Sequence, residues 1–291
     1  MAEIEALLFL MLAFALPLFF HLVLYRYTLT WLCKTNMVCR NYRGERLPTG
    51  GGVLLVMSVT ISMLILYLLT SPWGIDREFS LFLCGTVAMT FWGWQDDRSP
   101  ETTVKGMRGH FMTLWREQRM TSGFLKAWGI VGTSLLLSIA LSPQGLEVLV
   151  NTLVLALFAN LINLFDLRPG RAIKVFWLFM IVLFVASGEV IAGMIWPWLI
   201  PIVTATMLFY IADARGKVLL GDTGANYLGF ILGFYTVTLV DSVVKTALLV
   251  LLIGLHLLAE RVSFSHIIAS NGWLQKLDRL GTVAGRSDKQ T

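Results

Sequence analysis

The stretch "SLFLCGTVAMTFWGWQDDRSP", residues 80–100, joins an apolar run to an abrupt acidic end. No charged residue interrupts the run before the adjacent Asp96 and Asp97. A charged carboxylate at the centre of a bilayer costs about 2.5–3.5 kcal/mol on insertion scales. The stretch therefore predicts a membrane-spanning helix that ends at the membrane surface, where another group must compensate two neighbouring negative charges.

Similar apolar runs recur along the whole chain. Of its 291 residues, 56% are hydrophobic and 14% are charged, whereas charged residues make up about 25% of a typical soluble domain. A run of about 20 apolar residues is long enough to cross a bilayer as a helix. The composition thus predicts an all-α polytopic transmembrane bundle and excludes a sizeable soluble domain. The nine predicted spans are residues 5–32, 51–70, 79–95, 122–141, 147–165, 173–187, 190–210, 225–240 and 243–259.

The connections between the predicted spans alternate in charge. One set is short and acidic, and its basic residues are Arg77 and Lys245. The other set is longer and basic: residues 33–49, 96–121, 166–174, 211–222 and the tail from 260. Because basic loops stay in the cytoplasm, the N-terminus is predicted outside and the C-terminus inside. The net charge of +5 is then a topology signal, not evidence of nucleic-acid binding.

This pattern divides the chain into a transmembrane domain with cytoplasmic loops, residues 1–260, and a cytoplasmic amphipathic tail, residues 261–291. The tail predicts a helix that lies in the membrane interface, with loose binding of a partner as the alternative. Its apolar residues near helical spacing are Ile267, Ile268, Trp273, Leu274, Leu277 and Leu280.

Five aspartates fall at the predicted cytoplasmic ends of spans, beside basic loops. Magnesium binds one or two protein carboxylates together with phosphate oxygens of a substrate, and arginines hold remaining phosphate charge. The arrangement predicts a Mg²⁺–phosphate site at the cytoplasmic surface. The alternative is that acidic residues at helix ends merely face water. These aspartates are Asp96, Asp97, Asp166, Asp213 and Asp222.

Four motifs add a resemblance to a known family. They are "PTGGG" (48–52), "GWQDDRS" (93–99), "NLINLFD" (160–166) and "VLLGDTGANYLGF" (218–230). The first motif opens a predicted span, and each of the other three follows one. In this order the motifs resemble those of the polyprenyl-phosphate hexosamine-1-phosphate transferases. That family includes the phospho-MurNAc-pentapeptide translocase. The resemblance implies a multi-pass protein of the bacterial plasma membrane that transfers a sugar-1-phosphate from a nucleotide-sugar to polyprenyl phosphate during cell-envelope glycan biosynthesis. Nucleic acid is not an expected partner, and a homodimer is left open.

The resemblance also implies roles for individual residues. Asp222 would be a ligand of the cofactor Mg²⁺, and Asp96 and Asp97 would lie near the metal and the lipid phosphate, one of them as proton acceptor. Asp166 is assigned to the catalytic group with them. The residues assigned to substrate binding are Asn163, Asp213, Lys217, Arg168, Arg171, and Arg43 or Arg46 before "PTGGG".

The chain departs from the family pattern mainly at the positions that recognise the nucleotide and the sugar. Pro169 replaces a second aspartate, and Leu219 stands where an aromatic ring commonly stacks on uracil. Ala212 replaces an asparagine, and of the usual histidine cluster only His266 remains. These differences predict a divergent donor pocket in which Arg168 and Arg171 hold the pyrophosphate. Two alternatives stay open, a catalytically inactive relative that binds polyprenyl phosphate or an assembly partner, and a transporter.

Overall fold

The structure, a computed structural model, describes residues 2–40, 44–70, 76–99, 122–142 and 145–282. Over these residues the chain forms eleven helices and one two-stranded sheet, so the predicted helical architecture is confirmed. The helices are α1 (Ala2–Lys34), α2 (Gly52–Thr70), α3 (Arg77–Asp97), α4 (Ser122–Leu141), α5 (Gly145–Phe165), α6 (Arg171–Ala186), α7 (Glu189–Ala214), α8 (Gly221–Leu239), α9 (Ser242–Arg261), α10 (Phe264–Ser270) and α11 (Gly272–Arg279). The strands are β1 (Val38–Arg40) and β2 (Arg46–Pro48).

Each of the nine predicted spans coincides with one of the helices α1 to α9. Among the described residues, five of these helices are long and apolar enough to cross a membrane: α1, α2, α4, α5 and α9. The described side chains of α7, Trp198–Ala214, form a further apolar stretch. The chain is therefore a helical membrane protein. The number of crossings and the orientation of the termini stay predictions.

Helix α8 lies at the centre of the bundle, and α2, α3, α5 and α6 pack around it. Nearly all of its side chains are buried, which follows from a sequence rich in glycine, alanine and aromatic residues. Small residues allow helix backbones to approach closely. At Gly229 an added Cβ would lie 2.2 Å from the carbonyl oxygen of Phe158 on α5. Glycine at this position therefore lets α5 and α8 pack in close contact.

The predicted basic loop 33–49 contains a small antiparallel hairpin that the sequence analysis did not anticipate. Strands β1 and β2 pair Val38 with Pro48 and Arg40 with Arg46. The hairpin leads into "PTGGG", whose backbone pairs with the segment before α8: the Leu219 N–H donates to the Pro48 carbonyl at 2.8 Å. This pairing fixes the start of α2 against the start of α8.

The amphipathic tail forms two short helices, α10 and α11, that dock on the end of the bundle. The ring of Phe264 stacks on that of Phe165, at the end of α5, with centroids 4.5 Å apart. Residues 283–291 lie outside the described part of the chain.

Candidate functional site

Four helix ends meet at one end of the bundle and bring together residues that are distant in sequence. Asp96 lies at the end of α3, Lys126 in the first turns of α4, Asn163 near the end of α5, and Asp222 in the first turn of α8. Each belongs to a helix whose apolar part is packed in the bundle, so their polar side chains collect where the apolar runs stop. The resulting cluster contains two of the five predicted aspartates, Asp96 and Asp222.

Lys126 is the centre of this cluster. Its Nζ lies 3.2 Å from Asp96 Oδ2 and also donates a short hydrogen bond to Asp222 Oδ2. The Lys126 side chain is 12% exposed, against 22% for Asp96 and 30% for Asp222. Because the ammonium is shielded and the carboxylates are partly open, Lys126 offsets one of the two negative charges from the buried side, and both carboxylates stay partly exposed.

The side-chain amides of Asn163 and Asn226 lie next to these charged groups. With its side-chain nitrogen directed towards Asp222, Asn163 donates to Asp222 Oδ1 at 3.2 Å, and its oxygen accepts from Lys126 Nζ at 3.2 Å. Asn226 is fully buried one helical turn after Asp222, and its amide lies 2.5 Å from that of Asn163. Asn163 thus contacts both the Asp222 carboxylate and the Lys126 ammonium, and Asn226 contacts Asn163.

Asp97 faces a different direction from Asp96. Its Oδ1 accepts the backbone N–H of Asp222 at 2.9 Å, and its Oδ2 accepts the N–H and the hydroxyl of Thr223 at 2.9 and 2.5 Å. The first N–H groups of a helix have no partner within the helix, and a carboxylate is favourable beside them. Asp97 therefore caps α8 from a neighbouring helix and holds Asp222 in position.

Asp166 and Asp213 also bind backbone groups of the same region. Asp166 Oδ2 accepts the Gly221 N–H at 3.1 Å, and Asp213 Oδ2 accepts the Gly170 N–H at 2.7 Å. Burial, followed by the charges of Asp213, Asp222 and Asp97, raises the pKa of Asp166 well above its ordinary value. Added positive charge next to Asp166 would therefore stabilise its ionised form.

Arg171, one of the predicted basic substrate ligands, binds the tail and not this cluster. Arg171 is 3% exposed and makes a bidentate ion pair with Asp278 of α11, with both N–O distances 2.7 Å. Arg168, Arg46 and Lys217 have exposed side chains. Arg43 lies outside the described residues.

Three residues of the cluster were missed by sequence reasoning: Lys126, Thr223 and Asn226. Lys126 lies beyond the basic loop 96–121, and a lysine four residues into an apolar helix is itself a signal. Thr223 and Asn226 follow Asp222 by one and four residues, and the second spacing places Asn226 on the same helix face as Asp222. This spacing could have identified Asn226.

The donor set at Asp96 and Asp222 fits a hard divalent cation, although no group of three or more His, Cys, Asp or Glu side chains among the described residues is arranged to hold a metal. Two carboxylates already converge on a single positive charge, the Lys126 ammonium. Magnesium needs only one or two protein carboxylates when phosphate oxygens complete its shell. Asp97 is less suited, because both its oxygens bind the start of α8.

Comparisons with known proteins add no family assignment. No protein-family model matches the chain, and no curated protein matches it significantly. The resemblance therefore rests on the four motifs, and function is argued from the geometry of the cluster.

Proposed function

We propose that the protein is a Mg²⁺-dependent phosphotransferase that moves a sugar-1-phosphate from a nucleotide-sugar to polyprenyl phosphate at the cytoplasmic face of a bacterial plasma membrane. The observation that carries the proposal is the convergence of Asp96 and Asp222 on Lys126, three residues from three separate helix ends. Carboxylates and a cation at a membrane surface suit a lipid phosphate and a pyrophosphate together.

The reaction is one displacement at phosphorus. A phosphate oxygen of the lipid forms a bond to the phosphorus that carries the sugar, and the bond from that phosphorus to the nucleoside monophosphate oxygen breaks. The departing monophosphate takes the electron pair. Such transfers depend on positioning and charge stabilisation more than on covalent chemistry by the protein, which a cluster of fixed carboxylates, amides and an ammonium can provide.

The residues have separate roles in this proposal. Asp96 and Asp222 would hold Mg²⁺, which when bound neutralises the pyrophosphate charge and orients the leaving group. Lys126 pairs with both carboxylates from their buried side and offsets part of their charge. Asn163 fixes the orientation of Asp222 and Lys126. Asp97 positions the start of α8.

The donor side of the site differs from the sequence-based expectation. Arg171 is buried against Asp278, whereas the Arg168 side chain is exposed, so Arg168 is the more accessible of the two predicted pyrophosphate ligands. Leu219 has no aromatic face to stack on a base, and a missing stack costs on the order of 1–3 kcal/mol by analogy with single-strand binding. Recognition of the base should accordingly be weak, and the donor should be held chiefly through its phosphates.

A second function is favoured by one specific feature. The Lys126 ammonium pairs with both Asp96 and Asp222, so these carboxylates already have a cationic partner without a metal. A protein that binds polyprenyl phosphate and performs no transfer would need no metal at this position.

One assay separates these functions. Purified protein in nanodiscs is incubated with polyprenyl phosphate, Mg²⁺ and a panel of nucleotide-sugars, and release of nucleoside monophosphate is measured together with binding of radiolabelled polyprenyl phosphate. Release that depends on Mg²⁺ and on the lipid supports the transferase. Saturable lipid binding without release from any donor supports the binding protein, and absence of both contradicts the two proposals.

A further inference from the structure

Helix α11 presents an apolar face that no other described part of the protein covers. Trp273 is 78% exposed, and Leu274, Leu277 and Leu280 are exposed as well. These residues follow the last long apolar helix, so they are not part of a predicted span. A contiguous apolar surface of this kind marks a site of contact with another molecule or with a membrane.

The rotation of α11 is fixed by one residue on its other side. Asp278 binds the Arg171 guanidinium through both oxygens, and a further nitrogen of Arg171 donates to Ser265 of α10 at 2.8 Å. Because successive residues turn by about 100° around a helix, attachment through Asp278 directs Trp273 and Leu277 away from the bundle. The attachment of α11 to the bundle through Asp278 therefore leaves its apolar face exposed.

The end of α11 is held at the level of the helix ends. Lys174, in the first turn of α6, donates to the carbonyl oxygens of Leu277 at 3.0 Å and Leu280 at 3.3 Å. The Tyr210 hydroxyl, near the end of α7, donates to the Leu280 carbonyl at 2.6 Å. These contacts place the apolar face beside the ends of bundle helices, which is the height of the membrane interface.

We propose that α11 lies on the cytoplasmic surface of an anionic bilayer, with Trp273, Leu274, Leu277 and Leu280 in the headgroup–acyl boundary. Charge complementarity favours an anionic bilayer at this face, because the basic residues Lys276 and Arg279 are exposed on α11 beside the apolar face. Basic residues near a membrane surface are attracted to anionic lipid headgroups. Tryptophan also favours this depth. The proposal does not depend on the transferase activity.

The test measures the depth of single positions on α11. In the full-length protein with Cys33, Cys39 and Cys84 replaced by serine, a spin label is placed at Leu277, at Trp273 or, as the matched control at the polar edge beside the apolar face, at Lys276. Each protein is reconstituted in nanodiscs of phosphatidylcholine with or without phosphatidylglycerol. Collision rates with oxygen and with a water-soluble nickel chelate are then compared.

Labels at Leu277 and Trp273 should collide more often with oxygen than with the nickel chelate. The label at Lys276 should collide more often with the nickel chelate than with oxygen. Replacing Lys276 and Arg279 with glutamine should lower the oxygen preference at Leu277 in anionic discs only. Nickel access at both Leu277 and Trp273 would overturn the proposal. Protection of these labels from nickel together with dipolar broadening between two copies in one disc would indicate a dimer contact and would also overturn it. Protection from nickel that appears only when a soluble protein is added would do the same.

Discussion

Asp96 and Asp97 are adjacent in the chain, and their carboxylates bind different partners. Asp96 faces Lys126 and the open side of the cluster, while Asp97 receives three hydrogen bonds from Asp222 and Thr223. The first is placed to touch a bound cation or phosphate. The second acts through α8, because it fixes the backbone from which Asp222 projects.

Substitution of Asp97 should therefore change the properties of the protein differently from substitution of Asp96 or Asp222. Asp222→Asn and Asp96→Asn should lower turnover by about 100-fold or more, the size of effect known for one lost electrostatic group, and weaken Mg²⁺ dependence with little change in Tm. Asp97→Asn should lower Tm as well, since an unsatisfied buried donor costs about 1–3 kcal/mol. Monophosphate release, Mg²⁺ titration and thermal unfolding measure these effects.

Asp241→Asn is a matched control for this series, because Asp241 caps α9 through the Val243 and Val244 N–H groups at an exposed position away from the cluster. It should retain full turnover. Equal activity of the Asp96 and Asp222 variants and the native protein would show that the cluster is not the reacting centre.

The Arg171–Asp278 pair makes attachment of the tail dependent on pH. Burial alone would raise the pKa of Asp278, but hydrogen bonds and charge from Arg171, with the charges of Lys174 and Arg168, outweigh it and lower the pKa. A carboxyl whose pKa is lower in the folded state contributes stability above its unfolded pKa, about 3.9 for aspartate. That contribution is lost as pH falls through the folded pKa.

We expect the distance between spin labels at Arg279 and Arg215 to be narrowly distributed at neutral pH and to broaden below about pH 4, the ordinary range of aspartate. In Asp278→Asn the distribution should already be broad at neutral pH and should not change with acid. A native distribution that stays narrow throughout acid titration would rule out this pair as the attachment.

At the scale of elements, the contact between α3 and α8 determines the geometry of the cluster. An added Cβ at Gly93 of α3 would lie 2.3 Å from the Asp222 carbonyl oxygen and 2.6 Å from the Thr223 nitrogen. These are backbone atoms of the first turn of α8, so they cannot move without displacing Asp222. Glycine at this position is therefore required by the close approach of two helices.

Gly93→Ala should destabilise the protein by about 1–3 kcal/mol, the usual cost of overpacking, and should reduce turnover by displacing Asp222. The matched control is Gly132→Ala in α4, where an added Cβ meets nothing within 4 Å. That change should be neutral or stabilising, because alanine favours a helix by about 1 kcal/mol over glycine. Thermal unfolding of the two variants in one detergent compares them directly, and equal Tm values would contradict the contact.

At the scale of the whole molecule, the cluster requires one orientation in the membrane. Glu78 and Ser99 lie near opposite ends of α3. The bias of basic residues predicts Glu78 outside and Ser99 in the cytoplasm. In a protein with its native cysteines replaced, Cys at position 78 should react with a membrane-impermeant maleimide in intact cells, and Cys at position 99 should react only after lysis. Labelling of position 99 from outside would invert the topology and remove the cluster from the cytoplasm.

The sequence alone determined the helices of this protein and the ends at which its aspartates lie. A long apolar run specifies a helix through local composition, because a backbone in lipid must satisfy its own hydrogen bonds. A carboxylate that ends such a run, as Asp96 and Asp166 do, lies near the surface for the same reason. Neither inference requires knowledge of which helices are neighbours.

The partners of these side chains depended on the tertiary structure. Lys126 binds Asp222 across 96 residues of chain, and Arg171 binds Asp278 across 107. Asp96 and Asp97 are indistinguishable in sequence, but a turn of about 100° per residue directs one towards the open site and the other towards the start of α8. Pairing across such separations is set by helix packing and rotation, which no local pattern of residues encodes.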